Sequence, residues 1–400
     1  MGEAEIRSQV SAIISKIDAL QPLLVASGRS GDQTRHVDDE AFAALVGTGA
    51  FVVSTPEKFG GLAANTRESM AVARAVARGD GSLAWVFGIL DSGAWVLSLM
   101  DDRAQADVWG DDADGNRLIS IVLATTSDSI PTDGGYRVSG KWAYGTGSTH
   151  ASWSLLGIPL KNAAGEIVDA GLALVPASDL SSEDNWHVAG MRSTSSVTQI
   201  AQDVFVPAHR VLPLTAAVEG DYLGSNTEAT YRTVFVPSLF MKLVGPHLGM
   251  GRAALDFVIS HADTKSIAYT GYEKQTDSSI FQSLIAKASV NLSAAESVAQ
   301  QVADEIYAGA DRAYYAPYAT RIEMRAKAAW VVETITAVIN DLMMAHGSSG
   351  FADASSLQRI WRNQATAATH GHTLGASGYE AYGRVLLGRE DDARFVLPIV

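Results

Sequence analysis

Three clusters in this chain have residue types and spacing suited to chemistry. The first is RIWRNQATAATHGH, Arg359 to His372, with two arginines three apart, a small-residue run and then His370. A carboxylate at position 370 would suit an enzyme that removes a proton from carbon, which needs a tuned carboxylate beside a carbon acid. After Arg362-Asn363 the chain offers Thr366, Thr369 and His370, with no acid before Glu380. A histidine there points to different chemistry, or only to a satisfied helix-end residue.

The second cluster is GKWAYGTGSTHASW, Gly140 to Trp153. Two strand-like runs flank a turn that packs Gly145, Thr146, Gly147, Ser148 and Thr149 beside Trp142 and Tyr144. Backbone N–H groups and hydroxyls next to aromatic walls suit a planar heteroaromatic cofactor, which needs an apolar face and a few fixed polar partners. An ordinary hairpin with a small-residue turn has the same composition. The third cluster runs from Trp186 to Pro213, where Arg192 precedes Ser193, Thr194, Ser195 and Ser196. It reads as donors near a strand start or as a solvated loop.

Other chemistries are excluded or disfavoured. The chain has no cysteine, which removes disulfides, thiolate-bound zinc, iron–sulfur clusters and thiol nucleophiles. The absence fits a cytoplasmic protein. Acidic residues outnumber basic ones, 44 to 30, for a net charge of -14, which argues against a nucleic-acid partner. Gly249-x-Gly251-x-x-Ala254 resembles a dinucleotide fingerprint, but its flanks read as helical, so tight helix packing is expected. His370 and His372, two apart, would face different sides of a continuing helix, and no metal site is expected. There is no Walker A loop, His-Glu-x-x-His or Gly-x-Ser-x-Gly. The N-terminus is charged and amphipathic, unlike a signal peptide, and Met1-Gly2 lacks the rest of a myristoylation signal. No uninterrupted run of about 18 apolar residues occurs, so no membrane span is expected.

The elements that must position these clusters fall into three blocks. Residues 1–116 read as helices, including a nearly all-apolar stretch, GSLAWVFGILDSGAWVLSLM, expected to be a buried helix. From 117 the texture changes to short runs rich in Val, Ile, Trp and Tyr, punctuated by Asp133-Gly134-Gly135, Ser139-Gly140 and Asn162-Ala163-Ala164-Gly165. These predict an antiparallel β-domain within 117–220. Long helices return in 221–400, at about 230–262, 278–307, 314–346 and 354–370.

Taken in order, PEKFGG, GDGSLAW, DGGYRVSGKWAYGTGSTHASW, GMRSTSSVTQIAQDVFVPAHRV and LQRIWRNQATAATH resemble the acyl-CoA dehydrogenase fold. More closely, they resemble the flavin-dependent monooxygenases built on it, the oxygenase components of two-component aromatic hydroxylases. The resemblance spans nearly the whole chain. It implies an N-terminal helical domain, a β-barrel-like middle domain and a C-terminal four-helix bundle, with flavin between the last two. It also implies a homotetramer in which a neighbour completes the flavin site. Reduced FMN or FAD would come from a separate NAD(P)H-flavin reductase and react with O2. The C4a-hydroperoxyflavin would then pass its distal oxygen to a small aromatic, indole, amine, amino-sugar or sulfur substrate.

The resemblance also implies residue roles. His370, eight positions after Arg362 as in the hydroxylases, would stabilise the peroxyflavin or orient substrate, and Thr146 would hydrogen-bond near flavin N5. Trp142, Gly147, Ser148, Trp186, Arg192, Thr125, His346 and Gly347 would help bind the cofactor. Trp85, Asp91, Ser92 and Trp95 would contact substrate. One departure stands out. Phenol hydroxylases of this group carry a histidine two residues before the tryptophan of the buried helix, where this chain has Gly93 before Trp95. An already nucleophilic substrate would need no such base. Two alternatives remain at this level: an acyl-CoA dehydrogenase-like enzyme with Glu273 as base, and a non-catalytic flavin- or ligand-binding relative.

Overall fold

The computed structural model describes residues 1–110, 117–162 and 164–400. The expected boundary at 116 and one residue of the Asn162–Gly165 turn, Ala163, lie outside the described residues. Six helices come first: α1 Glu3–Ala19, α2 Gln21–Thr34, α3 Asp39–Gly47, α4 Thr66–Ala77, α5 Gly81–Leu97 and α6 Asp102–Trp109. Side chains that accept orphan backbone N–H groups start several of them. Asp38 caps α3, Asp80 caps α5, and Asn65 with Glu68 forms a reciprocal capping box on α4. Every residue of α5 is buried, so a helix apolar on all sides is stable there.

Two four-stranded sheets follow. Their strands are β1 Ile119–Val122, β2 Ser127–Thr132, β3 Gly135–Gly145, β4 Trp153–Lys161, β5 Ile167–Pro176, β6 Ser181–Glu183, β7 Val197–Pro207 and β8 Val211–Pro213. The sheet orders are β1-β4-β5-β8 and β2-β3-β7-β6. The expectation of a wholly antiparallel domain needs correcting, because β1 and β4 pair in parallel. The chain leaves the first sheet, makes the β2–β3 hairpin in the second and returns, so β4 starts at the same end as β1. Val138, Trp142, Leu156, Ile158, Ala173 and Ala201 fill the space between the sheets.

After the short α7, Leu214–Val218, come α8 Phe235–Ala262, α9 Ser279–Asp311, α10 Tyr318–His346, α11 Ser356–Ala367, α12 Gly375–Leu386 and α13 Glu390–Val396. Helix α8 packs on α4 and α5 on one side and on α9 and α10 on the other. The dinucleotide-like match lies inside it. Gly249 lets α8 approach the Arg74 carbonyl of α4, and Gly251 sits against Leu292 and Ile335. It is a helix-packing motif. Helix α10 is long and apolar enough to cross a membrane, with a mean hydropathy of 1.3 over its most apolar window, and half of that window is buried here. In this fold it packs against α8, α9 and α12. Helix α11 ends at Ala367, short of the expected 370, so His370 lies in the turn beyond it, where its N–H donates to the Ala367 carbonyl. Helices α12 and α13 were not marked by periodicity.

Candidate functional site

A cavity of about 620 Å³ opens between α5, the β-domain, α8 and the end of α11. That size suits a cofactor or a small organic ligand. Among the described residues no Asp, Glu, Lys or Arg lines it. Helix α5 supplies Trp85, Ile89 and Ser92, which share one helix face at i, i+4 and i+7. Helix α8 adds Leu239 and Leu243, and the end of β1 adds Ile121 and Val122. The polar lining comes from Thr146, Thr194, Ser196, Thr366, Thr369, His370 and His372.

The hydroxyls form a directed chain. Thr194 Oγ1 donates to the Met191 carbonyl at 2.9 Å, so it accepts from Ser196 Oγ at 2.7 Å. Ser196 has then spent its proton and accepts from Thr146 Oγ1 at 2.6 Å. Thr146 therefore offers the cavity lone pairs and no proton. The strand–turn geometry that places it is specialised. Tyr144, Met191 and Ser195 all have positive φ, at 64°, 55° and 45°. Such angles are uncommon for residues with a side chain and concentrate at functional sites. Asn363 holds the Met191 segment by accepting its N–H at 2.7 Å. Gly190 admits the Arg362 carbonyl, where any Cβ would collide.

At the other wall, Trp85 meets His370 edge-on at 5.4 Å between centroids and His247 at 5.8 Å. His370 meets His372 at 5.4 Å. The turn after α11 thus brings both histidines to the cavity, against the expectation that they would face apart on a continuing helix. Burial, helped by the nearby Arg325 cation, lowers the His370 pKa to about 4. Burial, with His370 and Arg325, lowers His372 to about 3. Both are neutral at pH 7. The His372 N–H donates to His370 Nδ1 at 3.3 Å, so in the neutral ring Nε2 carries the proton. His370 is a hydrogen-bond donor here. His247 is fully buried, and Gln364, whose amide nitrogen donates to Thr336, turns its oxygen to His247 Nδ1 at 2.9 Å. His247 Nε2 is left without a partner, and burial lowers this pKa to about 4.

Several expected contacts lie elsewhere. Trp142 is 0% exposed between the two sheets, its indole N–H donating to the Gly157 carbonyl at 2.8 Å. A register shift between Trp142 and Gly145 turns the next aromatic outward, so Tyr144, 70% exposed, lines the cavity instead, edge-on to Trp186 at 5.8 Å. Asp91 and Trp95 share a different face of α5 from Trp85 and Ser92. The Trp95 indole donates to the Thr230 carbonyl, and Asp91 pairs with Lys242 Nζ at 2.6 Å, both fully buried. Arg192 donates to the Asp32 carbonyl of α2 at 2.7 Å and does not reach the cavity. Gly147 seats the turn on Leu90 and Val86 of α5, and neither Ser148 nor the exposed Thr125, which follows the lining Ala124, lines the cavity. His346 and Gly347, at the end of α10, lie apart from this cavity, with His346 packed on Phe257 and His261. Glu273 is exposed in the α8–α9 connection, far from the role of base that the dehydrogenase alternative needs.

Gly93 is closed to any side chain on this backbone, because a Cβ there would run into the Ile119 carbonyl of β1. Of the residues that shape the site, His247, Lys242 and Arg325 carried no sequence signal, being single polar residues in helical runs. His372 was visible but assigned to the wrong face. Among the described residues no group of three or more His, Cys, Asp or Glu is placed to hold a metal.

A reduced flavin fits this arrangement. Its ring needs apolar faces, which Trp186, Tyr144 and Met191 offer. Its reduced form carries an N–H at N5, which needs an acceptor such as the Thr146 lone pairs.

Residues 23–109 match the acyl-CoA dehydrogenase N-terminal domain family, and residues 242–374 match the acyl-CoA dehydrogenase C-terminal domain family. The chain is 32% identical over 373 residues to the flavin-dependent monooxygenase oxygenase subunit HsaA of Rhodococcus jostii, covering 92% of this chain and 97% of that one. It is also 32% identical over 290 residues to the oxygenase component of an FADH2-dependent resorcinol hydroxylase from a Rhizobium species, covering 71% and 70%. XiaF from a Streptomyces species, solved with FADH2 and glycerol, superposes with a TM-score of 0.90 at 30% identity, covering 96% of this chain and 97% of that one.

Proposed function

The chain belongs to the flavin-dependent monooxygenases, the oxygenase subunits built on the acyl-CoA dehydrogenase fold, and on that premise we propose that it hydroxylates a small aromatic substrate with O2 and a reduced flavin supplied by a separate reductase. The observation that carries this reading is the pairing of Thr146, which only accepts, with neutral His370, which donates, in one cavity that no Asp, Glu, Lys or Arg among the described residues lines.

When bound, the reduced flavin supplies the electrons that activate O2 and deliver one oxygen atom to substrate. The chain's residues do the rest. Thr146 holds an N–H of the ring's reduced form. Trp186 and Tyr144 would flank the ring. The apolar wall of Ile89, Leu239 and Leu243 keeps water from oxygen chemistry that stray protons would divert to peroxide. The His370 Nε2–H is a placed donor for an oxygen atom that carries negative charge in the cavity, whether on substrate or on the oxidant.

The names of two relatives favour reduced FAD over reduced FMN. A separate NAD(P)H-flavin reductase is part of the proposal, since the dinucleotide-like glycines are spent on helix packing. A homotetramer is supported by large apolar residues exposed on the helical part, among them Ile280, Met344 and Phe351. We also take 1–116, 117–220 and 221–400 as the three domains, and the cytoplasm as the location, in keeping with the lack of cysteine.

The test mixes the protein with photoreduced FAD or FMN, then with oxygen, in a stopped-flow spectrometer, with a panel of hydroxylated arenes. The expected result is a lag before oxidised-flavin absorbance returns, together with a hydroxylated product. Immediate reoxidation with peroxide as the sole product, across the panel and with both flavins, would overturn the reading.

A further inference from the structure

No side chain fits at Gly93, and the two histidines lining the cavity are neutral and weakly basic. Behind them stands a cation. Arg325, on α10, is 3% exposed. One terminal nitrogen donates to the Gly371 carbonyl, between His370 and His372, and its Nε has no hydrogen-bond partner. Burial alone lowers its pKa, to about 10, with no carboxylate contributing. The charges of α10 nearest to it are committed elsewhere. Arg321 pairs with Glu219, Lys327 pairs with Glu305 and Glu323, and Glu333 accepts the Tyr379 hydroxyl of α12. From α12, Gly378 packs against the Arg325 Cγ, and in the turn after α11 the Arg325 charge helps to lower the pKa values of His370 and His372. Buried guanidinium groups are ordinarily matched by an anion, because an unmatched buried charge is costly. Here the open space for one lies across the His370–His372 turn, in the cavity.

We propose that Arg325 is a positioning and specificity residue: it holds the His370–His372 turn and makes that end of the cavity take up an aromatic hydroxyl in its ionised, phenolate form, the proton leaving to solvent. The inference rests on the aromatic-substrate reading above. It places the activation of the ring in a fixed positive charge behind the wall, in a site with no base on α5. The His370 Nε2–H then donates to the phenolate oxygen, a charge-assisted contact stronger than one to a neutral hydroxyl.

The experiment follows the 19F resonance of 4-fluorophenol bound to the protein carrying oxidised flavin, titrated with pH. That resonance reports the ionisation of the ligand, which a merely structural role for Arg325 would leave alone. The expected pKa of the bound phenol is lower than that of the free phenol by about one pH unit or more. Arg325→Lys keeps the depression, and Arg325→Gln, which can still donate to Gly371, loses it. Should Arg325→Gln not fold by thermal melting, Arg325→Met takes its place. An unshifted pKa in the unaltered protein overturns the proposal by itself, and so does a depression that persists in a folded neutral variant. Failure of 4-fluorophenol and other fluorinated arenes to bind at all overturns the aromatic-substrate reading instead.

Discussion

Thr146 Oγ1 lies 2.6 Å from Ser196 Oγ, and the Met191 carbonyl at the far end of the hydroxyl chain sets the direction of that bond. Because every proton in the chain points away from the cavity, Thr146 is matched to a ligand that donates. Oxidised flavin has no proton at N5, and reduced flavin does. Thr146→Val is therefore expected to weaken binding of reduced flavin about fivefold, the worth of one hydrogen bond near 1 kcal/mol, while affinity for oxidised flavin changes little. Thr146→Ser should restore most of the loss. Equilibrium titration of both redox forms checks this, and equal losses for the two forms would refute the assignment.

His370→Ala is expected to lower hydroxylated product per flavin oxidised by on the order of ten- to a hundredfold, with peroxide rising to match, as for loss of one placed donor. Product and peroxide are counted in the same single-turnover reaction. Unchanged coupling would make His370 a packing residue of the Trp85 wall.

Lys242 and Asp91 are buried together behind the cavity, bridging α8 and α5. Lys242→Met removes the cation from the buried Asp91 and leaves it only the Ser69 hydroxyl, and breaking a buried ion pair on one side typically costs about 3–5 kcal/mol. The double variant Lys242→Met/Asp91→Leu should recover most of that, because a well-packed apolar pair replaces a buried ion pair at little net loss. Chemical denaturation of the three variants measures it. A double variant as unstable as the single would mean that the pair holds the helices by geometry that no apolar pair reproduces.

Five histidines have pKa values held down by burial: His150, then His247, His346 and His370, these three to about 4, and His372 to about 3. A depressed folded pKa means that the unfolded chain takes up protons first. Stability from these groups is full above the ordinary histidine pKa near 6.5 and is lost as pH falls toward 4. Asp80 and Glu68, whose pKa values burial raises, act in the opposite sense, with Glu68 and Asp80 favouring the folded form as acid is added. The net expectation is a thermal midpoint that falls between pH 6.5 and 4.5, with a shallower fall in His372→Asn. A flat profile across that window would show that these rings protonate without unfolding cost.

The fold was legible because its evidence is local. Helical spacing marked α8 to α10 within a few residues, and the Val- and Trp-rich runs marked the strands. The parallel β1–β4 pair escaped because pairing direction depends on the path between strands, which composition does not record. The site was legible in part. Thr146, Ser92, Trp85, Trp186 and His370 do meet in one cavity. Trp142 misled because a register shift, visible only in three dimensions, exchanged its role with that of Tyr144. Asp91 misled because neighbouring positions on one helix face about 100° apart, which turns it to Lys242 while Ser92 meets the cavity.

By itself the sequence determined the order of helices and strands, the absence of thiol chemistry, and the histidine where a carboxylate would mean carbon-acid chemistry. Tertiary structure alone decided which way the hydroxyl protons run, that no side chain fits at position 93, and that a guanidinium with no carboxylate partner among the described residues stands behind the two histidines. The physical reason is range. Periodicity, caps and turns act over a few residues, whereas the cavity joins positions from 85 to 372 whose meeting depends on how whole elements pack.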